Sequence, residues 1–365
     1  MNGEGTVLSL DFDHREGDTL IDQALRPKVT VFSLGGTIAS TNSNLSTGGV
    51  TPQLSASDLI SAIPALGEIA DVSAVNFRQM PSCDFTLVDV VALARAIEET
   101  FAAGAHGVVV TQGTDTMEEM AFALDVLVRS PRPVVVTGAM RNATVESPDG
   151  SANILGAVRV AASGDATGLG TLLVFNDEIH AARFVRKTHT SNLATFRSPS
   201  CGPLGWLVEA RLRIVFRVAP LATLGPVRDG DIPAVALIKC ALGDDARILD
   251  QLEHLGFRGV VVEGFGGGHV PSRIVPSVET LAERMPVVLT SRTGSGEMLR
   301  ETYGFAGSER DLLSRGVLSS GALDGPKAHM LLSLALLVDA DPSKARALFE
   351  RIVASMSFHG ETPIT

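Results

Sequence analysis

Short, continuously apolar runs that alternate with helical patterns constrain the fold of this chain more than any other feature. In the first half of the chain, the strand-like runs are residues 28–34, 107–110, 133–137 and 171–175. Apolar residues at helical spacing lie between them at 87–101 and 153–162, and Thr116 with Glu119 has the pattern of a capping box that begins another helix. Buried strands that are each followed by a helix indicate a parallel sheet covered on both faces.

The same alternation restarts after residues 221–233 (LATLGPVRDGDIP), whose Gly, Pro and Asp content is typical of an interdomain linker. Beyond this linker the sequence predicts strands at 234–240, 259–262 and 285–290, a helix at 244–255, and helical sequence over 328–354 with a break at Asp341-Pro342. We therefore expect an α/β fold with a larger N-terminal parallel-sheet domain and a smaller C-terminal α/β domain. The predicted parts are a polar extension (1–27), the larger domain (28–220), the linker (221–233) and the smaller domain (234–365).

Composition argues against several classes of function. The formal net charge is -11, and the chain has one Trp and one Tyr, so neither a basic face nor an aromatic platform for nucleic acid is expected. No apolar run reaches the roughly 20 residues of a membrane span, and the polar start does not have the pattern of a secretory signal. Three cysteines without a CxxC pair are expected to be reduced, and the compartment is expected to be the cytoplasm.

Neither a metal nor a cofactor is predicted. The eight histidines show no HExxH pattern and no cluster at metal-ligand spacing. The glycine-rich run at 264–268 (GFGGG) lacks the helix and acidic partner of a dinucleotide site.

Polar residues follow three of the predicted strands, where open α/β sheets bind ligands. Gly35-Gly36-Thr37 follows the first strand, and glycine N–H groups beside a hydroxyl suit attack on a carbonyl, although such a sequence alone is usually only a turn. Residues 111–116 (TQGTDT) bring three hydroxyls and a carboxylate to a helix start, where capping alone is the other interpretation. Residues 137–141 (TGAMR) follow the third strand.

Lys187 lies in a polar stretch (FVRKTHT) and, like most lysines, has the solvated surface charge as its ordinary interpretation. If it is buried beside Thr114 instead, a neutral amine there can act as base to the hydroxyl.

Taken together, these segments resemble the bacterial-type L-asparaginases and glutaminase-asparaginases. The matching runs are GGTIAS (35–40), TQGTDTMEEMAF (111–122), VVVTGAMR (134–141), LVFNDEIHAARFVRKTHTSNLATFRSPSCGPLG (173–205) and LTSRTGSG (289–296). The likeness spans roughly residues 28–360, and the order and spacing of the motifs make it specific although each motif alone is weak.

The resemblance implies the fold with a left-handed crossover, hydrolysis of a small-molecule amino-acid amide, no cofactor, and a homodimer or homotetramer. It implies that Thr37 attacks the side-chain amide and forms an acyl-enzyme, and that Thr114 is a second catalytic threonine activated by Lys187. It further implies that Asp115 holds the substrate α-amino group and that Ser82 holds its α-carboxylate, which agrees with the preference of carboxylates for cations and of hydroxyls for carboxylates.

Gly36, Gly113 and Cys83 complete the predicted substrate-binding set, and Cys83 stands where many relatives carry glutamine. One departure bears on the mechanism. Family members usually place a tyrosine in the loop after the first threonine, whereas residues 40–50 hold none and the only tyrosine is Tyr303. Because a hydroxyl without a base is a poor nucleophile, either Thr37 is activated by other groups or turnover of asparagine is slow.

Three functions therefore stay open at this point. The first is an amidohydrolase acting on L-asparagine. The second is a binding protein or sensor that keeps the amino-acid pocket without turnover, because fold alone does not imply function. The third is an amidase for glutamine or another amide, including the amidotransferase subunits that share the fold; the acidic composition disfavours the tRNA-linked version.

Overall fold

The computed structural model of the protein describes residues 26–42, 50–52, 54–227 and 230–356. Nearly all of the predicted N-terminal extension, part of the loop after Thr37 and the last nine residues lie outside these ranges. In the described part of the chain, the strands are β1 (Lys28–Ser33), β2 (Ser40–Asn42), β3 (Val50–Pro52), β4 (Asp71–Asn76), β5 (Gly107–Thr111), β6 (Val134–Thr137), β7 (Thr171–Phe175), β8 (Glu178–Ala181), β9 (Arg186–Lys187), β10 (Phe196–Arg197), β11 (Gly205–Val208), β12 (Arg211–Ile214), β13 (Val235–Lys239), β14 (Gly259–Gly264), β15 (Val287–Ser291) and β16 (Leu318–Ser319).

Helices occupy the stretches between many of these strands. Their bounds, for the same described ranges, are α1 (Ala56–Ser61), α2 (Leu66–Ile69), α3 (Leu87–Ala102), α4 (Met117–Leu127), α5 (Gly150–Ala162), α6 (Val275–Arg284), α7 (Glu309–Ser314), α8 (Gly325–Val338) and α9 (Pro342–Ala354).

The larger sheet has the order β12-β11-β8-β7-β6-β5-β1-β4. Strands β4, β1, β5, β6 and β7 run parallel, as predicted, and β8, β11 and β12 extend the sheet in antiparallel pairing. Ser33, Thr111 and Thr137 are the last residues of β1, β5 and β6, and they are register partners across the sheet. The loops that follow these three strands therefore start side by side, as the sequence predicts.

Successive valines of β5 face opposite sides of this sheet, because side chains alternate along a strand. Val108 and Val110 belong to a core on the side of α3 and α4, whereas Val109 belongs to a second core beneath α5. Both faces are thus covered, which explains the continuously apolar strands.

The smaller sheet has the order β13-β14-β15-β16 and is parallel throughout. Helices α8 and α9 cover one of its faces, and their buried residues join those of α3 and α4 in one continuous core. The two sheets therefore share an apolar interior. The described residues from 221 to 233 contain no helix or strand, and Leu221 and Leu224 are buried in the shared core.

Three expectations about local structure are corrected or refined. The helix predicted at 244–255 is wrong: apart from a short 3-10 turn, Leu249–Gln251, the segment forms turns. Asp244 and Asp245 accept hydrogen bonds from the backbone N–H groups of Ala241 and Arg247, and such local bonds compete with helix formation. Helix α5 begins three residues earlier than predicted. The predicted break in the last helical stretch is confirmed, because Asp341 caps α9 directly before Pro342.

Candidate active site

Thr37 lies immediately beyond the carboxyl end of β1. Gly35 and Gly36 have φ values of +95° and +82°, and Thr37 then opens a single 3-10 turn, Thr37–Ala39. The Ser40 hydroxyl donates to the Gly36 carbonyl oxygen at 2.8 Å, which holds the turn against the glycine pair. Thr37 is half-buried, and among the described residues its hydroxyl has no hydrogen-bond partner. The hydroxyl is thus available to a ligand.

The Gly36 backbone lies directly against that of Gly113. A Cβ atom built on Gly36 would lie 2.1 Å from the Gly113 nitrogen, and one built on Gly113 would lie 2.7 Å from the Ser82 Oγ. Only glycine permits such close backbone approach. The loops that carry Thr37, Ser82 and Thr114 therefore converge, as predicted.

Ser82 is buried in the 3-10 turn Ser82–Asp84, and its carbonyl oxygen accepts a hydrogen bond from the Thr116 hydroxyl at 2.9 Å. This contact corrects the prediction of a capping box. Thr116 is the residue before α4, but with ψ near 17° it is not extended, and its hydroxyl turns to Ser82 instead of capping the helix. Cys83 is exposed, and its thiol donates to the Asp84 carboxylate at 3.8 Å. The Cys83 side chain shows no contact of this kind with the loops of Gly36 and Gly113 in the described chain.

Lys187 is brought to Thr114, although the two residues are far apart in sequence. The Lys187 Nζ donates to Thr114 Oγ1 at 2.9 Å and to Asp115 Oδ1 at 2.6 Å. Its side chain is 17% exposed, whereas that of Asp115 is 69% exposed. The ordinary interpretation of Lys187 as a solvated charge does not hold: the amine is mostly enclosed, bonded to a hydroxyl, and paired with a carboxylate that still faces solvent.

Two glutamates beneath this group are not recognisable from the sequence. Glu118 accepts a hydrogen bond from the Lys187 backbone N–H, and burial raises the pKa of its carboxyl. Burial and the neighbouring Glu118 carboxylate raise the pKa of Glu119 to about 7. The run TMEE has the local pattern of a helix cap, while its partner, Lys187, lies almost 70 residues later in the chain, and periodicity carries no signal for such a pairing.

The third predicted loop contributes support. The Gln112 backbone N–H donates to the Thr137 carbonyl oxygen at 3.1 Å, so the loops after β5 and β6 are in contact. The Thr137 hydroxyl donates within the sheet to the Val174 carbonyl oxygen at 2.7 Å, and Asp149 binds the backbone N–H groups of Met140 and Arg141. These side chains hold the loop in place.

The described residues contain no group of three or more His, Cys, Asp or Glu side chains arranged to bind a metal ion. In the same residues, no helix combines the length and the apolar content that crossing a bilayer requires.

Models of two protein domains match the chain. Residues 28–219 match the family model described as "Asparaginase, N-terminal", and residues 234–349 match the "Glutaminase/Asparaginase C-terminal domain". The chain belongs to the asparaginase family. It is accordingly an amidohydrolase, and the predicted family and fold class are confirmed.

Individual relatives of this asparaginase-family protein agree with that assignment. It is 34% identical over 318 residues to "L-asparaginase" of Bacillus licheniformis, covering 86% of this chain and 96% of that protein. It is 36% identical over 337 residues to a glutamyl-tRNA(Gln) amidotransferase subunit of Methanosarcina barkeri, covering 89% and 77%. The solved structure of a "Probable Cytoplasmic L-asparaginase" from Campylobacter jejuni matches with a TM-score of 0.78 at 30% identity, covering 89% of this chain and all of that one. The relatives therefore include proteins that are named for different reactions.

Proposed function

We propose that this enzyme hydrolyses the side-chain amide of L-asparagine, with Thr37 as nucleophile. The observation that carries the proposal is the 2.9 Å contact between Lys187 Nζ and Thr114 Oγ1, made beside the Gly36–Gly113 contact that brings the Thr37 turn to the same place. In this mechanism the Thr37 hydroxyl attacks the amide carbon, an ester forms, and nitrogen leaves as ammonia after taking a proton. Water then hydrolyses the ester and releases aspartate.

Thr114 and Lys187 supply the proton transfers, since the loop after Thr37 contributes no tyrosine. A chain from the attacking hydroxyl through Thr114 to the Lys187 amine gives the proton a route, and proton transfer by a positioned side chain accelerates reactions about 10²–10⁴-fold. The N–H groups at Gly36 and Gly113 are the proposed donors to the developing oxyanion and the substrate.

Asp115 has a dual part in the proposal. One of its oxygens, Oδ1, is bonded to Lys187, and the exposed carboxylate leaves the other oxygen for the substrate α-ammonium group. Ser82, buried against Gly113, is the proposed partner of the α-carboxylate. Cys83 is proposed to contribute little, because its thiol is exposed and bonded to Asp84.

Ammonia release tests the proposal directly. Wild type, Thr37→Ala, Thr114→Val and Lys187→Met are assayed with asparagine, glutamine and simple amides, and aspartate binding is measured by calorimetry. We expect each variant to lose about 10²–10⁴-fold in kcat on asparagine. Lys344→Met, at a lysine whose side chain is 68% exposed on α9, is the matched control and is expected to retain the wild-type rate.

Two outcomes would replace the proposal with one of the other functions. Binding of aspartate without ammonia release from any amide would identify a binding protein. Faster turnover of glutamine or a simple amide than of asparagine would identify a different amidase, which the amidotransferase relative makes a specific alternative. An unchanged rate in Lys187→Met would remove the proposed proton route.

A cytoplasmic location, as named for the Campylobacter relative, and a homodimer or homotetramer are also proposed for this chain. Cell fractionation and light scattering of the purified protein test these two statements.

A further inference from the structure

The segment that carries Lys187 is held mainly by groups from outside its own strand. Strand β9 is two residues long and pairs only with β10, in a ladder separate from the two large sheets of the described chain. Three consecutive residues are bonded to distant elements instead. Lys327 of α8 donates from Nζ to the Val185 carbonyl oxygen at 2.7 Å, Arg186 donates to the Gly294 carbonyl oxygen, and the Lys187 N–H donates to Glu118.

Charged side chains join these contacts into one group, which we call the interdomain charge cluster: Glu118, Arg186, Asp324 and Lys327. Asp324 Oδ2 lies 2.9 Å from Arg186 Nε and 3.1 Å from Lys327 Nζ. The side chains of Lys327 and Asp324 are 1% and 7% exposed. Buried charges of this kind depend strongly on their partners, because an uncompensated charge in the interior is costly.

The small-domain half of the cluster is itself firmly placed. Asp324 caps α8, accepting the Lys327 backbone N–H on Oδ1 at 3.1 Å, and α8 packs in the core shared by both sheets. Arg186 reaches the loop after β15, where Gly294 has a φ of +77°. A Cβ atom on Gly294 would lie 1.7 Å from Arg186 Nη1, so the space for the guanidinium depends on the absence of a side chain there.

We propose that the interdomain charge cluster positions Lys187, so that the smaller domain sets the rate of the proton transfer without touching the substrate. This inference rests on the proposed function, in which Lys187 is the base. The reason is geometric: Arg186 is the residue directly before Lys187, and a displacement of about 1 Å in a catalytic group costs about 10²-fold in rate. Arg186, Asp324 and Lys327 are thus positioning residues. The groups proposed to bind the substrate, Ser82 and Asp115, are on other loops and lie outside the cluster.

Two glycines in one loop provide a matched test. Gly294→Ala pushes against the far end of the Arg186 side chain, whereas Gly296→Ala has a similar φ of +85° and no atom within 4 Å of its new Cβ. Backbone strain is therefore similar in the two variants, and only the first displaces Arg186. We expect Gly294→Ala to lower kcat for ammonia release at least about tenfold with KM within about twofold of wild type, and Gly296→Ala to match wild type.

A second variant removes charge without removing the helix cap. Asp324→Asn keeps an oxygen for the Lys327 N–H, since asparagine caps helices well, but loses the ion pairs with Arg186 and Lys327. We expect it also to lower kcat about tenfold at constant KM. Thermal unfolding of all variants is measured in parallel.

The inference is overturned if Gly294→Ala and Gly296→Ala have equal kcat, or if kcat and KM change together in proportion to a loss of thermal stability. In either case a large loss in Lys187→Met leaves the proposed function standing. An unchanged rate in Lys187→Met rejects the proposed function itself, so the two failures are distinguishable.

Discussion

The contact between Gly36 and Gly113 makes a quantitative prediction about a single methyl group. In Gly36→Ala, the new Cβ would approach the Gly113 nitrogen at 2.1 Å and its Cα at 2.4 Å, whereas ordinary contacts begin at 3.4 Å. Both obstructing atoms belong to the backbone, so no side-chain rotation relieves the overlap. The two loops must separate by about 1.3 Å, the difference between the first and last of these distances. Gly36 also combines a φ of +82° with a ψ of -173°, which costs a non-glycine residue about 1–3 kcal/mol.

Separation of the loops moves Thr37 away from Thr114, and a misplacement of about 1 Å costs about 10²-fold in rate. We therefore expect kcat for ammonia release from asparagine to fall at least about 10²-fold in Gly36→Ala, measured in a coupled assay alongside circular dichroism. Gly104→Ala is the control, because Gly104 has a φ of +100° and open space around its Cβ position. The reasoning is refuted if Gly36→Ala is folded and its kcat stays within about threefold of Gly104→Ala.

Two further predictions concern stability. Because the pKa of Glu119 is about 7 in the folded chain against an ordinary value of 4.5, its contribution is present below pH 4.5 and is lost as pH rises through 7, by about 3 kcal/mol at most. Urea unfolding should show this decline in wild type and in the exposed-site control Glu350→Gln, but not in Glu119→Gln; three parallel curves would contradict it. Arg183→Met leaves the buried Asp125 carboxylate without its cation and should lower the free energy of unfolding by about 3–5 kcal/mol, and adding Asp125→Asn should recover part of it. Equal stability of wild type and Arg183→Met would contradict this prediction.

The parallel core of the fold is predictable because the pattern of each of its strands is local. Runs such as GVVV at β5 are apolar at every position since both faces of the sheet are covered. The antiparallel extension by β8, β11 and β12 is not predicted, because β11 and β12 carry exposed residues and short, mixed patterns. The turns at 244–255 are missed for another reason: apolar spacing favours a helix, and the side chains of Asp244 and Asp245 compete for the backbone.

The candidate site shows the same division. Gly36, Gly113, Thr114 and Asp115 follow strands whose order the alternation of elements predicts, so their proximity follows from topology. Lys187 enters only through resemblance, since nothing in its local sequence distinguishes it from a surface lysine. The pairing of Arg186 with Asp324 joins residues that are more than 130 positions apart, and a contact that depends on how two domains dock leaves no periodic trace in either of them.

The apolar interior that α4 and α8 share has a mechanical consequence for the enzyme. Close-packed interiors have discrete arrangements and resist gradual deformation, so the two sheets are not free to swing apart as a hinged pair. Opening such a joint would expose much of the core, which ties the unfolding of either half to that of the other. Entry of substrate must then be achieved by the surface segments around the strand ends, while the two halves of the molecule stay locked as one body.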